Sequence, residues 1–266
     1  MIRNYSGATR IIPIVGDPIA QVKAPRGLSL AFEQRGEDIL VVPFHIKPGD
    51  VQAFFQTMSR APNVGGMLAT VPHKFAAFQF AATSSSRAQF FLSANALRRT
   101  GDGRWYGDML DGLGYVRAIE KIGATARDQK VLLVGAGGAG SAVGAELLNA
   151  GAAHLAVHDA DTSRRDALLA KIEAAHPGKT SRGTADPTGF TLVVNATPMG
   201  MKAGDPAPVE FDRLAPGMIV GDVITVPEIT PLLQHAKSLG CRIVTGVDMF
   251  NASTDLLADF FLGVDG

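Results

Sequence analysis

A continuously apolar run, Val131-Leu132-Leu133-Val134, passes without a break into Gly135-Ala136-Gly137-Gly138-Ala139-Gly140 and then into a stretch of helix formers, Ser141 to Ala150. An apolar run without alternation is a strand buried on both faces. Glycines spaced G-x-G-x-x-G after such a strand make a tight turn, let backbone approach a ligand, and let the following helix pack close to the strand. The helix start adds free N–H groups and the positive end of a dipole, the combination that binds a pyrophosphate. A purely structural glycine turn is the alternative, and the context argues against it. Asp159 closes the next apolar run, Leu155-Ala156-Val157, and lies 24 residues beyond Gly135. An acid there accepts hydrogen bonds from a ribose 2′-hydroxyl and repels a 2′-phosphate. The expectation is a dinucleotide held by Gly135, Ala136, Gly137, Gly138, Ala139, Gly140 and Asp159, with NAD preferred over NADP. Arg164 and Arg165 are contrary signs, since either would clamp a phosphate if the loop folded back.

Other Ile- and Val-rich runs fall at residues 11–15, 39–44, 191–194, 218–220 and 242–244. Helix-length segments lie between many of them: Val51 to Arg60, Tyr115 to Ile122, Arg164 to Ala175 and Pro231 to Leu239. This alternation predicts an α/β fold with βαβ units and parallel sheet. Phenylalanine is dense before residue 108 (Phe75, Phe78, Phe80, Phe90, Phe91) and almost absent between residue 125 and Phe190, which predicts two domains with separate cores. The Phe cluster is expected in the first core, as are Trp105 and Tyr106.

With 46% hydrophobic and 19% charged residues in 266, the chain is too apolar to stay disordered. Lys plus Arg (25) balances Asp plus Glu (25), so there is no net field to condense it onto nucleic acid or an anionic membrane. A lone Cys241 excludes an intramolecular disulfide and fits a reducing compartment. His154, His158 and His176 have no partners at ligand spacing, so no metal is expected. Met1 to Arg10 lacks an apolar h-region, and Val131 to Ala145 is too short to span a bilayer, which points to a cytoplasmic protein, monomeric or a homodimer.

Further motifs follow one another along the chain. They are Gly16-Asp17-Pro18-Ile19-Ala20, Thr70-Val71-Pro72-His73-Lys74, Asn95, Asp111-Gly112-Leu113-Gly114, Asn195-Ala196-Thr197-Pro198-Met199-Gly200-Met201, Asp222, Thr230-Pro231-Leu232-Leu233 and Gly246 to Met249. In this order, with the glycine loop between them, the sequence resembles the shikimate and quinate dehydrogenase family over essentially its whole length. The resemblance implies a substrate domain at residues 1–110, completed by 247–266, and a Rossmann domain with a doubly wound parallel sheet at 111–246, with catalysis in the cleft. It also implies hydride transfer between a nicotinamide dinucleotide and a small cyclic hydroxy compound. Lys74 matches the catalytic lysine of the family and Asp111 its aspartate partner. Thr70 and Asn95 match substrate contacts. Asn195, Ala196, Thr197 and Pro198 match a cofactor turn, and Val223, Gly246 and Met249 match positions near the nicotinamide. His73 is expected to be a structural neighbour, Asp222 a support for the Rossmann loop, and Glu228 solvated.

The match breaks at the substrate. Where the family carries Ser-x-Ser before a proline to hold a carboxylate, this chain has Val22 and Ala24 around Lys23. Hydrogen bonds to a charged group are worth roughly 1.5–3 kcal/mol each, so losing two costs about two to four decades of affinity. Leu68 replaces an Asn, Met109-Leu110 an Asn-Thr, Thr225 a Tyr and Ser253 a Gln. The substrate positions Val22, Ala24, Thr70, Asn95, Thr225 and Ser253 thus describe a less polar pocket around an intact catalytic pair. The alternatives are an ordinary member that reduces 3-dehydroshikimate for aromatic amino-acid synthesis and an NAD-binding sensor that has lost efficient chemistry. An enzyme like methylene-folate dehydrogenase is more distant, because it shares the domain plan without this order of motifs.

Overall fold

A computed structural model describes residues 5–20 and 22–264, so the first four residues of the amino-terminal stretch considered above lie outside it. The chain divides into two compact units. One runs to Leu110 and is rejoined by the chain from Thr254; the other is Asp111–Ser253.

The first unit contains β1 (Arg10–Gly16), α1 (Ala24–Gln34), β2 (Ile39–His45), α2 (Val51–Ser59), β3 (Gly66–Ala69), α3 (Lys74–Phe80), β4 (Thr83–Ser84), α4 (Ser86–Phe91), β5 (Ala96–Arg99) and β6 (Trp105–Asp108). Its sheet has the order β2-β1-β3-β5-β6-β4. It is parallel around β1, but β5 is antiparallel to both β3 and β6. Between β5 and β6 the parallel expectation fails for a local reason. Thr100 to Arg104 is a tight hairpin, with the Thr100 N–H donating to the Arg104 carbonyl (2.8 Å) and Gly103 at φ +80°, so the chain reverses at once.

The Phe cluster is also corrected. None of Phe75, Phe78, Phe80, Phe90 and Phe91 is fully buried, and Phe75 is 54% exposed. Helices α3 and α4 are so short that each buries a single alanine, Ala77 or Ala88. The core is built from Leu28, Phe32, Phe55, Met67 and Leu97, with Phe80 alone of the cluster packed between Phe55 (5.4 Å) and Trp105 (6.2 Å between ring centres). Trp105 does join it, and Tyr106 is half-buried.

The second unit contains α5 (Asp111–Lys121), β7 (Lys130–Val134), α6 (Gly138–Asn149), β8 (His154–His158), α7 (Thr162–Ala175), β9 (Thr180–Arg182), β10 (Leu192–Asn195), β11 (Ile219–Asp222), α8 (Pro231–Ser238), β12 (Arg242–Val244) and the start of α9 (Gly246–Leu262). The sheet is wholly parallel in the order β12-β11-β10-β7-β8-β9, the doubly wound arrangement. Its inner strands hold apolar runs because both faces are covered: Leu132, Leu133, Val193 and Val220 have essentially no exposed surface, whereas the edge strand β9 is polar. Helix α6 starts earlier than its helix formers suggest, so Gly138, Ala139 and Gly140 form its first turn. No helix of the described residues is long and apolar enough to cross a membrane.

Candidate active site

Open α/β sheets bind ligands outside the carboxyl ends of the strands, where the strand order reverses. In the second unit this point lies between β7 and β10. Gly135, at φ +103°, leaves β7 there, and a Cβ on it would stand 2.8 Å from the carbonyl of Ala196 and 2.9 Å from Cγ2 of Thr197. A Cβ on Gly140 would overlap the carbonyl oxygen of Gly135. Gly137 and Gly138 are the opposite case, with nothing within 4 Å of an added Cβ. Two glycines therefore close the turn against protein and two leave open space beside the backbone. Gly137 caps α6 without a side-chain hydrogen bond and the first turn holds no acid, so its N–H groups remain for an anion. These residues fit a dinucleotide pyrophosphate.

Asp159 follows β8 directly. Its Oδ2 accepts from the Ala136 N–H (2.7 Å) and its Oδ1 from the Asp161 N–H (2.8 Å), which fixes the carboxylate beside the glycine turn. Arg164 lies with Asp161 (3.3 Å) and Asp159 (3.9 Å), and Arg165 with Asp166 (2.8 Å). Arg164 thus faces two carboxylates, and Arg165 shares Asp166 with Arg182 (2.9 Å).

The turn from Asn195 to Pro198 seats against Gly135, but the Asn195 side chain has no exposed surface. Its amide donates to the Met199 carbonyl (3.0 Å) and to Asp222 Oδ2 (3.1 Å), and its Oδ1 accepts from the N–H (3.1 Å) and hydroxyl (2.6 Å) of Thr197. Asn195 therefore braces the turn from within, its side chain turned inward. Asp222, at the end of β11, is equally buried, and burial pushes its carboxyl above the usual range. Val223 and Thr225, which follow, are half-buried. A Cβ on Gly246 would overlap the Ile224 carbonyl, so the start of α9 lies directly on this turn; Met249 is half-buried in the next turn of α9. Ser253 packs its hydroxyl on α5 at Gly114, where no larger residue than glycine fits.

Tyr115, also on α5, is fully buried against Gly221, and its hydroxyl has no hydrogen-bond partner among the described residues. Burial, then the Asp222 charge, raises its pKa well above the usual value. An unmade hydrogen bond of this kind costs more than it contributes. Tyr115→Phe is expected to stabilise the protein by about 1 kcal/mol, read as a rise in Tm of about 2–4 °C. A fall in Tm on this substitution would mean that the hydroxyl is satisfied in solution.

In the first unit the order reverses between β1 and β3. A Cβ on Gly16 would come within 2.6 Å of Cγ2 of Thr70, and the backbones there are laced together: Thr70 N–H to Val15 carbonyl (2.9 Å), Asp17 N–H to Val71 carbonyl (3.1 Å). Lys74 is the first residue of α3 and half-buried. His73 caps that helix, buried, with Nε2 at 2.7 Å from the Ile46 carbonyl, which supports its reading as a structural neighbour. Asn95 is buried with Oδ1 accepting from the Leu110 N–H (2.9 Å). Asp108, held by Ser85 and by Arg87 (2.7 and 3.2 Å), accepts from the Met109 N–H (2.7 Å). Together they fix the backbone that leads into Asp111, the first residue of α5. Val22 is half-buried, and Ala24 opens α1.

One cluster escaped the sequence reading. Asp17 Oδ1 meets His45 Nε2 (2.6 Å) and Lys47 Nζ (3.2 Å), and these bonds, that of His45 first, hold its carboxyl below the usual range. The motif around Asp17 was visible. The partners were not, because they depend on the parallel register that sets Gly16 beside His45.

The family profile described as "Shikimate dehydrogenase substrate binding domain" matches residues 14–97. A shikimate dehydrogenase (NADP(+)) of Acidiphilium cryptum is 32% identical over 244 residues, covering 92% of this chain and 87% of its own. The chain belongs to the shikimate dehydrogenase family. Among solved structures, shikimate 5-dehydrogenase from Listeria monocytogenes in complex with shikimate and NAD has a TM-score of 0.91 at 23% identity, covering 99% of this chain and 95% of its own, which establishes the shared fold. Quinate dehydrogenase from Corynebacterium glutamicum in complex with NAD gives a TM-score of 0.87 at 26% identity, covering 96% and 94%. As a member of this family, the protein is an oxidoreductase acting on CH–OH donors with a nicotinamide cofactor. Leu68, Met109 and Leu110 are buried, at 3%, 5% and 4% exposed.

Proposed function

We propose that this family member interconverts a cyclic secondary alcohol and its ketone, on a substrate less polar than shikimate, with NAD preferred over NADP. The observation that carries the reading is the coordinated loss of polar side chains at Val22, Ala24, Leu68, Met109 and Leu110 beside retained Thr70, Lys74, Asn95 and Asp111. A single such change would be drift. Five such changes together alter what the chain can offer a substrate, and a site lacking partners for a carboxylate rejects it through unpaid desolvation. The proposed domain limits remain 1–110 with 247–266 and 111–246.

The bound dinucleotide would accept or return hydride. Gly135 to Gly140 and the start of α6 would hold its pyrophosphate, Ala196 to Pro198 and Val223 would flank it, and Gly246 and Met249 would close the nicotinamide side. Lys74 takes the hydroxyl proton when the alcohol is oxidised and returns it when the ketone is reduced. Asp111 is the acid that the family resemblance assigns to the same reaction. The Asp159 carboxylate, preset by Ala136 and Asp161, supports NAD, as do the paired states of Arg164 and Arg165. The relatives named for NADP(+) stand on the other side.

The test is formation of reduced nicotinamide by purified protein with NAD or NADP against shikimate, quinate and a panel of cyclic alcohols without a carboxylate. The expected result is higher kcat/KM on a carboxylate-free alcohol than on shikimate, and a preference for NAD of about tenfold or more. Shikimate as best substrate would restore the ordinary family activity. Silence throughout, with NAD bound, would favour a sensor.

A further inference from the structure

Asp222 lies beneath the surface of the second unit, yet every turn implicated in dinucleotide binding at the carboxyl ends of β10 and β11 leads back to it. Its Oδ2 accepts from Asn195 Nδ2 (3.1 Å) and from the Thr230 hydroxyl (2.9 Å), and its Oδ1 from the Ile224 N–H (2.9 Å). Through Asn195 the bonds continue to Thr197 and Met199, the turn that seats on Gly135. Through Ile224 they fix the Val223–Thr225 turn, on whose carbonyls Gly246 of α9 rests. Thr230 caps α8, whose Leu233 N–H points to the same hydroxyl (3.4 Å). On its other side, Gly221 receives the ring of Tyr115, one helical turn beyond Asp111. Asn195, Asp222 and Thr230 are all fully buried, so none can touch a ligand.

A strand end needs no carboxylate to stay paired. A buried one is costly unless each oxygen is satisfied, and here the donors come from two different turns and a helix cap. We propose that Asp222 is a positioning residue for hydride transfer: by accepting from Asn195, Ile224 and Thr230 it sets the β10 and β11 turns relative to each other and so forms the nicotinamide seat without contacting it. The proposal rests on the dinucleotide site proposed above. It separates two halves of the ligand. The pyrophosphate is held by the glycine turn and α6, which Asp222 does not touch, whereas the nicotinamide end depends on turns that it joins.

The experiment compares the affinities of NADH and ADP-ribose, which lacks the nicotinamide, for the full-length protein by titration calorimetry. In the native protein NADH binds more tightly. Asp222→Asn keeps the shape but replaces one acceptor oxygen by an NH2 group, which in either orientation meets a donor, Asn195 and Thr230 or the Ile224 N–H. The expected result is a loss of about tenfold or more in NADH affinity with ADP-ribose held within about threefold, cancelling the difference between them. In case Asp222→Asn does not fold, Thr230→Val removes one donor and Thr230→Ser restores it. The valine variant is expected to lose part of the NADH preference and the serine variant to regain it. Equal losses for both ligands, or an unchanged preference in a folded variant, would overturn the proposal. Equal affinities in the native protein would do the same, by removing the seat itself. Failure of the native protein to bind either ligand would instead overturn the dinucleotide reading on which it rests.

Discussion

Lys74→Ala is expected to lower kcat by about 10²–10⁴-fold, the contribution of a positioned acid or base, while the NAD dissociation constant stays within about threefold. The two halves of this expectation draw on different parts of the chain. Lys74 begins α3 in the unit that ends at Leu110, at the carboxyl ends of β1 and β3, where Gly16 and Thr70 meet. The glycine turn and Asp159 belong to Asp111–Ser253. Folding should be spared, because α3 is anchored by buried Ala77 and by the His73 contact to the Ile46 carbonyl. Lys74→Arg separates charge from proton transfer: a guanidinium keeps the positive charge but does not give up its proton in this pH range, so turnover should stay low. Single-turnover measurements on the best alcohol of the panel, with calorimetry for NAD, read both quantities. Unchanged turnover in Lys74→Ala would remove the lysine from the chemistry, and a parallel fall in NAD affinity would make its role structural.

The sequence was most legible where one physical cause dominated. Buried parallel strands read as unbroken apolar runs, so β7, β8, β10, β11 and β12 fall within two residues of expectation at each end. The glycine turn was legible because steric exclusion at Gly135 and Gly140 leaves no other residue possible. The short elements β4, α4 and β5 were missed, being two to six residues long with no period to detect. The Phe cluster misled because hydrophobicity does not state which face of a short helix is covered. Pairings across sequence, such as Asp17 with His45 or Asp222 with Asn195 and Thr230, depend on strand register and on turns that bring distant residues together. No local pattern announces them. Of the candidate cofactor residues, Asn195 shows the limit most clearly, since its motif was visible but its inward direction was not.

Two alanines in one turn should have opposite consequences. Gly140→Ala places a methyl group onto the carbonyl oxygen of Gly135, a backbone atom that no rotamer change can move aside. The strand-to-helix junction must shift, at a cost of roughly 3 kcal/mol, the upper part of the range for overpacking, and the open space beside the turn goes with it. Gly137→Ala meets nothing within 4 Å, and its φ of −73° with ψ of −172° is ordinary extended backbone for alanine. Its folding free energy should change by no more than about 0.5 kcal/mol. The space that the methyl group fills is nevertheless where backbone must approach the pyrophosphate, so NAD affinity should fall by about tenfold or more. Urea unfolding and NAD titration on both variants decide the matter. If Gly137→Ala folds and binds NAD as the native protein does, the open glycines do not cradle the ligand and the site lies elsewhere on the β7–β10 crevice. If Gly140→Ala is as stable as the native protein, the close approach of α6 to β7 is not what makes that glycine necessary.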